Sequence, residues 1–146
     1  MAYWLLKSEP ETWSFDQQKA EGKKGAEWGG VRNFQARKNM RTMRSGDLAF
    51  FYHTSNERQA VGIVKVVAEV HPESTDSTGQ WECVDVAAIT DLPRPVTLAE
   101  IKASLKLKDM VLVRNSRLSV QPVSPQEWSI ICKMAGLAKP PLAETK

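Results

Sequence analysis

The sequence predicts an α+β protein: a small, partly open β-barrel of about six strands with short helices packed over its ends. Three observations carry this. Apolar runs are short, rich in β-branched and aromatic residues, and separated by turn residues. Three segments open on capping boxes, Ser14 with Gln17, Thr97 with Glu100, and Ser124 with Glu127. Finally, strands and long helices do not alternate as the crossover units of a doubly wound sheet would.

Taken in order, residues 2–6 (AYWLL) are an apolar run suited to a buried strand, and Pro10 keeps the chain from extending it. Ser14 opens a short helix that Gly22 stops. Asn33 is an N-cap for a helix over residues 34–44, with Ala36, Met40 and Met43 on one face. After a turn at Ser45-Gly46-Asp47 comes an apolar strand tipped by Tyr52-His53. Residues 60–70 form a long β-branched strand in which Gly62 marks a bulge or bend. A polar loop over 71–80 leads to a strand over 81–89, with Val84, Val86 and Ala88 toward the core.

Thr97 then caps a helix carrying Leu98, Ile101 and Leu105. Residues 110–113 and 118–123 read as two further strands, joined at Arg114-Asn115-Ser116-Arg117. The last helix has Ser124 as N-cap, Pro125 at N1 and Gly136 at its end, with Trp128, Ile131 and Cys132 on its apolar face. Residues 1–136 are expected to be one domain and 137–146 a flexible tail.

Composition excludes several classes. No apolar stretch approaches the roughly 20 residues of a membrane span, so no membrane partner is expected, and the amino terminus lacks the pattern of a signal peptide. Cys83 and Cys132 are far apart and read as buried thiols in a reducing compartment, the cytoplasm. His53 and His71 have no Cys, His or carboxylate at metal-ligand spacing, so no metal and no cofactor is expected. Neither a phosphate-binding glycine loop nor a nucleophile elbow is present.

Charge is concentrated in one stretch. Residues 28–55 (WGGVRNFQARKNMRTMRSGDLAFFYHTS) hold five Lys/Arg and one Asp, a net of +4, while the whole chain is +3. Arg37, Lys38, Arg41 and Arg44 face away from the apolar stripe, Phe34 projects among them, and no acid interrupts the helix. Trp28, Phe34, Phe51 and Tyr52 bracket that charge, a composition shared with surfaces that bind phosphate and stack bases. Lys7-Ser8, Trp28 and Tyr52-His53 lie at strand ends or in a glycine turn, so one rim of a small barrel brings them together. Rings there sandwich a base, and Ser8, Asn33 and Ser119 hydrogen-bond its edge. Trp4, Trp81 and Trp128 are assigned to the core. Arg114 and Arg117 are either phosphate contacts or turn residues.

The start YWLLKSEP, the central WGGVRNFQAR with FFYH, and the end LVRNSRLSVQPV appear in order, and together they resemble the EVE domain over residues 2 to about 135. The resemblance implies a PUA-like fold, related to the PUA, ASCH and YTH domains, which hold a modified or flipped base in a rimmed pocket. EVE domains are associated with reading modified cytosines in DNA. Carried over motif by motif, it implies a base pocket of Lys7, Ser8, Trp28, Asn33, Tyr52, His53, Leu118 and Ser119. Arg32 and Arg117 from these motifs, together with Arg37, Lys38 and Arg41 of the basic helix, are the expected phosphate contacts. Position 34 is Phe where Tyr is also expected, which keeps a stacking face and loses a hydroxyl. The expected function is a non-catalytic reader of a modified base in DNA or RNA, with any cleavage left to a separate effector protein. The rival expectations are an ASCH-like ribonuclease using Lys7, Tyr52 or His53, and a protein-interaction module with no nucleic-acid ligand.

Overall fold

In the computed structural model, which describes residues 2–143, six strands form one mixed sheet. They are β1 (Tyr3–Ser8), β2 (Ala26–Glu27), β3 (Leu48–His53), β4 (Gln59–Pro72), β5 (Glu82–Thr97) and β6 (Val120–Val123), in the order β2-β5-β4-β3-β1-β6. Five short α-helices accompany them: α1 (Phe15–Ala20), α2 (Phe34–Thr42), α3 (Leu98–Ala103), α4 (Val111–Arg114) and α5 (Pro125–Met134). β1 runs parallel to β3, with Leu5 opposite Phe50, and antiparallel to β6, with Leu5 opposite Gln121. The remaining pairs are antiparallel, so the sheet is an α+β scaffold whose edges, β2 and β6, are not paired with each other.

The sheet is buried on both faces, which explains why β1 and β3 read as continuous apolar runs. Tyr3, Leu5, Phe50 and Tyr52 point to one core, where Trp128 of α5 stacks between Tyr3 at 4.6 Å and Phe50 at 4.1 Å. Trp4, Leu6, Ala49 and Phe51 point to the other, against Phe15, Ala36, Met40 and Met43. Asp47, buried in the turn after α2, accepts hydrogen bonds from the Trp4 indole at 3.0 Å and from the backbone of Ala2 and Arg44. The turn thereby ties the end of α2 to the start of β1.

All three capping boxes form as the sequence requires. Asn33 caps α2, which ends at Thr42 rather than at residue 44; Met43 leaves in an extended conformation and is still buried. Gly62 sits at a register shift between β4 and β5, and a Cβ there would lie 2.2 Å from the Phe15 ring. The strand expected at 81–89 continues to Thr97, making a long β4–β5 hairpin that bends at four register shifts.

One predicted element is wrong. Residues 110–113 form a helical turn, with Arg114 N bonded to Met110 O and Asn115 N to Val111 O. A four-residue apolar run does not distinguish helix from strand, and both sides of β1 are already taken by β3 and β6. The segment expected as a loose tail is anchored as far as residue 143. The Trp128 indole donates to Pro141 O at 2.8 Å, and Ala143 N donates to the Tyr3 hydroxyl at 3.2 Å. Residues 144–146 of that expected tail lie outside the described residues. Among the described residues, no helix is long and apolar enough to cross a membrane.

Candidate nucleic-acid interface

A cleft of about 490 Å³ opens where the sheet fails to close. One side is the carboxyl end of β1 and the turn after it, Lys7, Ser8, Glu9, Thr12 and Trp13. The other side follows β2 through Glu27, Trp28, Gly29, Gly30, Val31 and Arg32, and Ser119 closes the floor just before β6. Two edges far apart in strand order therefore contribute to one site. Lys7 N donates to Ser119 O at 2.9 Å, which fixes the β6 side against β1. Trp28 N donates to Val84 O at 2.8 Å, which fixes the other wall to β5.

Five of the sequence-derived residues, Lys7, Ser8, Trp28, Arg32 and Ser119, meet at this cleft. Trp28 has two roles. It is 6% exposed and packs edge-on to Phe51 at 5.3 Å, so it is a core anchor, contrary to the expectation that a ring in a glycine turn lies apart from the core. Its indole N–H, however, has no acceptor among the described residues. The Ser8 hydroxyl donates to Trp13 O at 2.5 Å and so holds the turn that presents the Trp13 ring. Trp13 in turn donates to Gln18 at 3.0 Å, and Gln18 to Val86 O at 2.9 Å, which braces the second indole against β5. Burial lowers the Lys7 ammonium from the ordinary lysine range, and its Nζ donates to Ser116 O at 2.5 Å.

The other named pocket residues lie elsewhere. Asn33 spends its side-chain oxygen on Ala36 N at 2.9 Å, capping α2. His53 is buried, with Nε2 accepting from Phe15 N at 3.1 Å and Nδ1 bonded to Glu57 at 2.8 Å. Both ring nitrogens are engaged in holding α1 and the turn after β3. Tyr52 faces a second hollow with Thr54, Arg58, Leu98 and Leu112, which Lys7 also lines with its Nζ 5.9 Å from the Tyr52 ring, and burial raises its phenol. Leu118 is a core residue.

Folding changes the reading of the basic stretch. Arg41 pairs with Glu82 of β5 at 2.5 Å, although no acid lies near it in sequence. Arg32 makes a bidentate pair with buried Glu73, at 2.9 and 3.3 Å, and Gly30 N donates to the same carboxylate at 3.2 Å. The Arg32 hydrogen bonds hold Glu73 below the usual carboxylate range against the opposing effect of burial. Arg37 donates to Gln80 O at 2.7 Å and lies over two stacked rings, Phe34 at 4.9 Å and Trp81 at 5.2 Å. Trp81 is therefore not the core residue the sequence implied; with Phe34, 61% exposed, it forms a surface stack. Arg44 bonds to the backbone of Arg41 and Met43. Lys38 and Arg117 are exposed and make no ion pair or hydrogen bond among the described residues.

Trp13, Thr12 and Glu73 complete the site and were not singled out from sequence, whereas Gly29 and Gly30 are the glycine turn the sequence marked. Trp13 had a signal, an aromatic residue immediately before an N-cap. Glu73 had none, because its partners are some 40 residues away.

An open six-stranded sheet with helices on both faces and a cleft at its unpaired edges defines the class: this is a PUA-like domain. Residues 2–134 match the EVE domain model, and the chain belongs to the EVE domain family. It is similar to an Agrobacterium tumefaciens protein of known crystal structure, 51% identical over 99% of this chain and 100% of that one, with a TM-score of 0.94. Human thymocyte nuclear protein 1 is 32% identical, over 91% of this chain and 73% of its own length. A crystal structure of that human protein in complex with DNA containing 5-methylcytosine has a TM-score of 0.85, covering 97% of this chain and 100% of that one at 32% identity. The YTH domain of a Zygosaccharomyces rouxii protein, in complex with N6-methyladenosine RNA, shares the fold alone, at 16% identity and a TM-score of 0.56 over 92% of this chain and 86% of that one.

Proposed function

We propose that this protein is a non-catalytic reader of a modified nucleobase, taking a flipped 5-substituted cytosine of DNA into the cleft between Trp13 and Trp28. The observation that carries this is a cleft with two indoles, an uncommitted indole N–H and the Ser119 hydroxyl, in a chain similar to a protein solved with 5-methylcytosine DNA. The volume suits a ligand of this size, since small-molecule sites span roughly 300–1,000 Å³. Indole faces stack any base; discrimination comes from the apolar surface of Val31 and the rings against the 5-substituent. Lys38 and Arg117, exposed and without a hydrogen bond or ion pair among the described residues, hold flanking phosphates. With both nitrogens of His53 engaged, a histidine-based ribonuclease is disfavoured, and any chemistry on the nucleic acid falls to a separate effector protein.

The test is titration of matched oligonucleotides that differ only in one methyl group, at fixed salt. Burying a methyl contributes about 1 kcal/mol, so the methylated strand binds about five- to tenfold more tightly. Trp13→Ala, which removes a half-buried ring, loses affinity for both strands. Equal affinity across the series would refute the reader and leave a general nucleic-acid binder. An RNA strand that outcompetes the DNA would reassign the polymer.

A further inference from the structure

The sequence offers no metal-ligand spacing, yet folding gathers four ligating side chains beside the cleft. Glu27, His71, Cys83 and Asp85 each place a ligand atom within 4.8 Å of the others. The backbone enforces this grouping. Cys83 and Asp85 are two apart on β5 and share a face; His71 of β4 is directly opposite Cys83, and Glu27 of β2 is directly opposite Asp85. The register shift between Ala68 and His71 in β4 sets the imidazole into this square. His71 Nε2 lies 2.7 Å from Asp85 Oδ1 and 3.9 Å from Cys83 Sγ, while Nδ1 is 3.0 Å from Pro72 O.

We propose that Glu27, His71, Cys83 and Asp85 form a binding site for a divalent transition metal of the zinc class, held by His71 Nε2, Cys83 Sγ and the two carboxylates. Tetrahedral zinc with these donors sets ligand atoms roughly 3.3–3.6 Å apart, so the observed separations close on it with small side-chain rotations. A contact from His71 Nδ1 to Pro72 O is the outer hydrogen bond that fixes the tautomer of a ligating histidine. The donor set selects the metal: a thiolate and an imidazole disfavour calcium and magnesium and suit zinc or cobalt. Two carboxylates and a buried thiol gather around one imidazole. A dication neutralises that cluster and takes the thiolate once its proton leaves to solvent. Because Glu27 also lines the cleft and precedes Trp28, the metal pins the β2 wall to β4 and β5. The site stands on these four residues and not on the reader function.

The experiment is titration of the full chain, first stripped with chelator, with cobalt(II) as probe. One equivalent is expected to bind, with a thiolate-to-cobalt charge-transfer band in the near ultraviolet and the visible bands of tetrahedral cobalt. Zinc(II) displaces it and raises the melting temperature. Cys83→Ser removes the charge-transfer band and His71→Ala weakens binding by more than the about 10–100-fold that even an outer-shell change costs, while Cys132→Ser changes neither. Should Cys83→Ser fail to fold, Asp85→Asn provides the same test through lost affinity. A wild-type protein that shows no charge-transfer band, a band that persists in Cys83→Ser, or a band that vanishes in Cys132→Ser overturns the proposal.

Discussion

Replacing Glu73 tests whether the glycine wall of the cleft is braced from below or held by its own backbone. The carboxylate is buried and accepts four hydrogen bonds: two from Arg32, one from Gly30 N and one from the Thr75 hydroxyl at 2.5 Å. Bonds to a charged acceptor contribute roughly 1.5–3 kcal/mol each when buried. Arg32 is 43% exposed, so its share is discounted for solvent screening. The expected cost of Glu73→Ala is about 2–4 kcal/mol, which in a domain of this size lowers the melting temperature by roughly 4–16 °C. Glu73→Gln keeps an oxygen for Gly30 N and loses about half as much.

Two assays separate bracing from direct contact: calorimetric melting, and oligonucleotide titration over a range of salt. If Arg32 braces the wall, Arg32→Ala and Glu73→Ala each weaken binding, their double mutant is no worse than either, and the salt slope stays constant. If Arg32 contacts phosphate instead, Arg32→Ala alone lowers the slope by roughly 0.9 on duplex DNA. A Glu73→Ala protein that melts within about 1 °C of wild type and binds normally would refute the bracing argument.

Four further outcomes are expected. Trp28→Ala loses both base binding and roughly 3–5 kcal/mol of stability, measured by denaturant unfolding, because its ring packs on Phe51; Trp28→Phe recovers most of the stability and less of the binding. Reversing Lys38 and Arg117 to Glu leaves the melting temperature unchanged and reduces the salt slope by about 0.7–0.9 for each phosphate no longer neutralised, whereas Arg41→Glu, facing Glu82, lowers stability instead. Gly62→Ala drives a methyl into the Phe15 ring and costs about 1–3 kcal/mol, read as a lower unfolding midpoint. Cys132, pushed up to about 12 by burial, resists alkylation at pH 8 in the native protein and reacts on unfolding, as mass spectrometry would record.

Local chemistry was legible wherever it decided the structure. Capping boxes fixed the starts of α1, α3 and α5, and uninterrupted apolar runs marked β1 and β3. The errors fall where a distant partner decides. Residues 110–113 are helical because no sheet edge is left for them beside β1, which a local window does not show. Trp81 is a surface ring because Phe34, 47 positions earlier, stacks on it. His71 gains ligating neighbours only through cross-strand register. The cleft was legible through strand ends and the glycine turn, but its brace, Glu73, gave no sign because its role exists only in the fold.

The same dependence on distant partners explains the basic helix. An unclosed sheet leaves β6 and the start of β5 unpaired with each other, and α2 spans that gap. Asn39 donates to Val120 O of β6 at 2.7 Å on one side, and Arg41 pairs with Glu82 of β5 on the other. Arg37 adds its bond to Gln80 O beside the stacked Phe34 and Trp81. Part of the positive charge on the helix therefore has a structural use here, tying α2 to the β5 side of the gap while Asn39 ties it to β6. The cleft is the part of that gap α2 leaves uncovered, bounded by Lys7 and Ser119 on the β1–β6 side and by Trp28 on the β2–β5 side. A ligand seated there occupies the position a closing strand would take, and its affinity depends on how firmly α2 holds the two edges at their present separation.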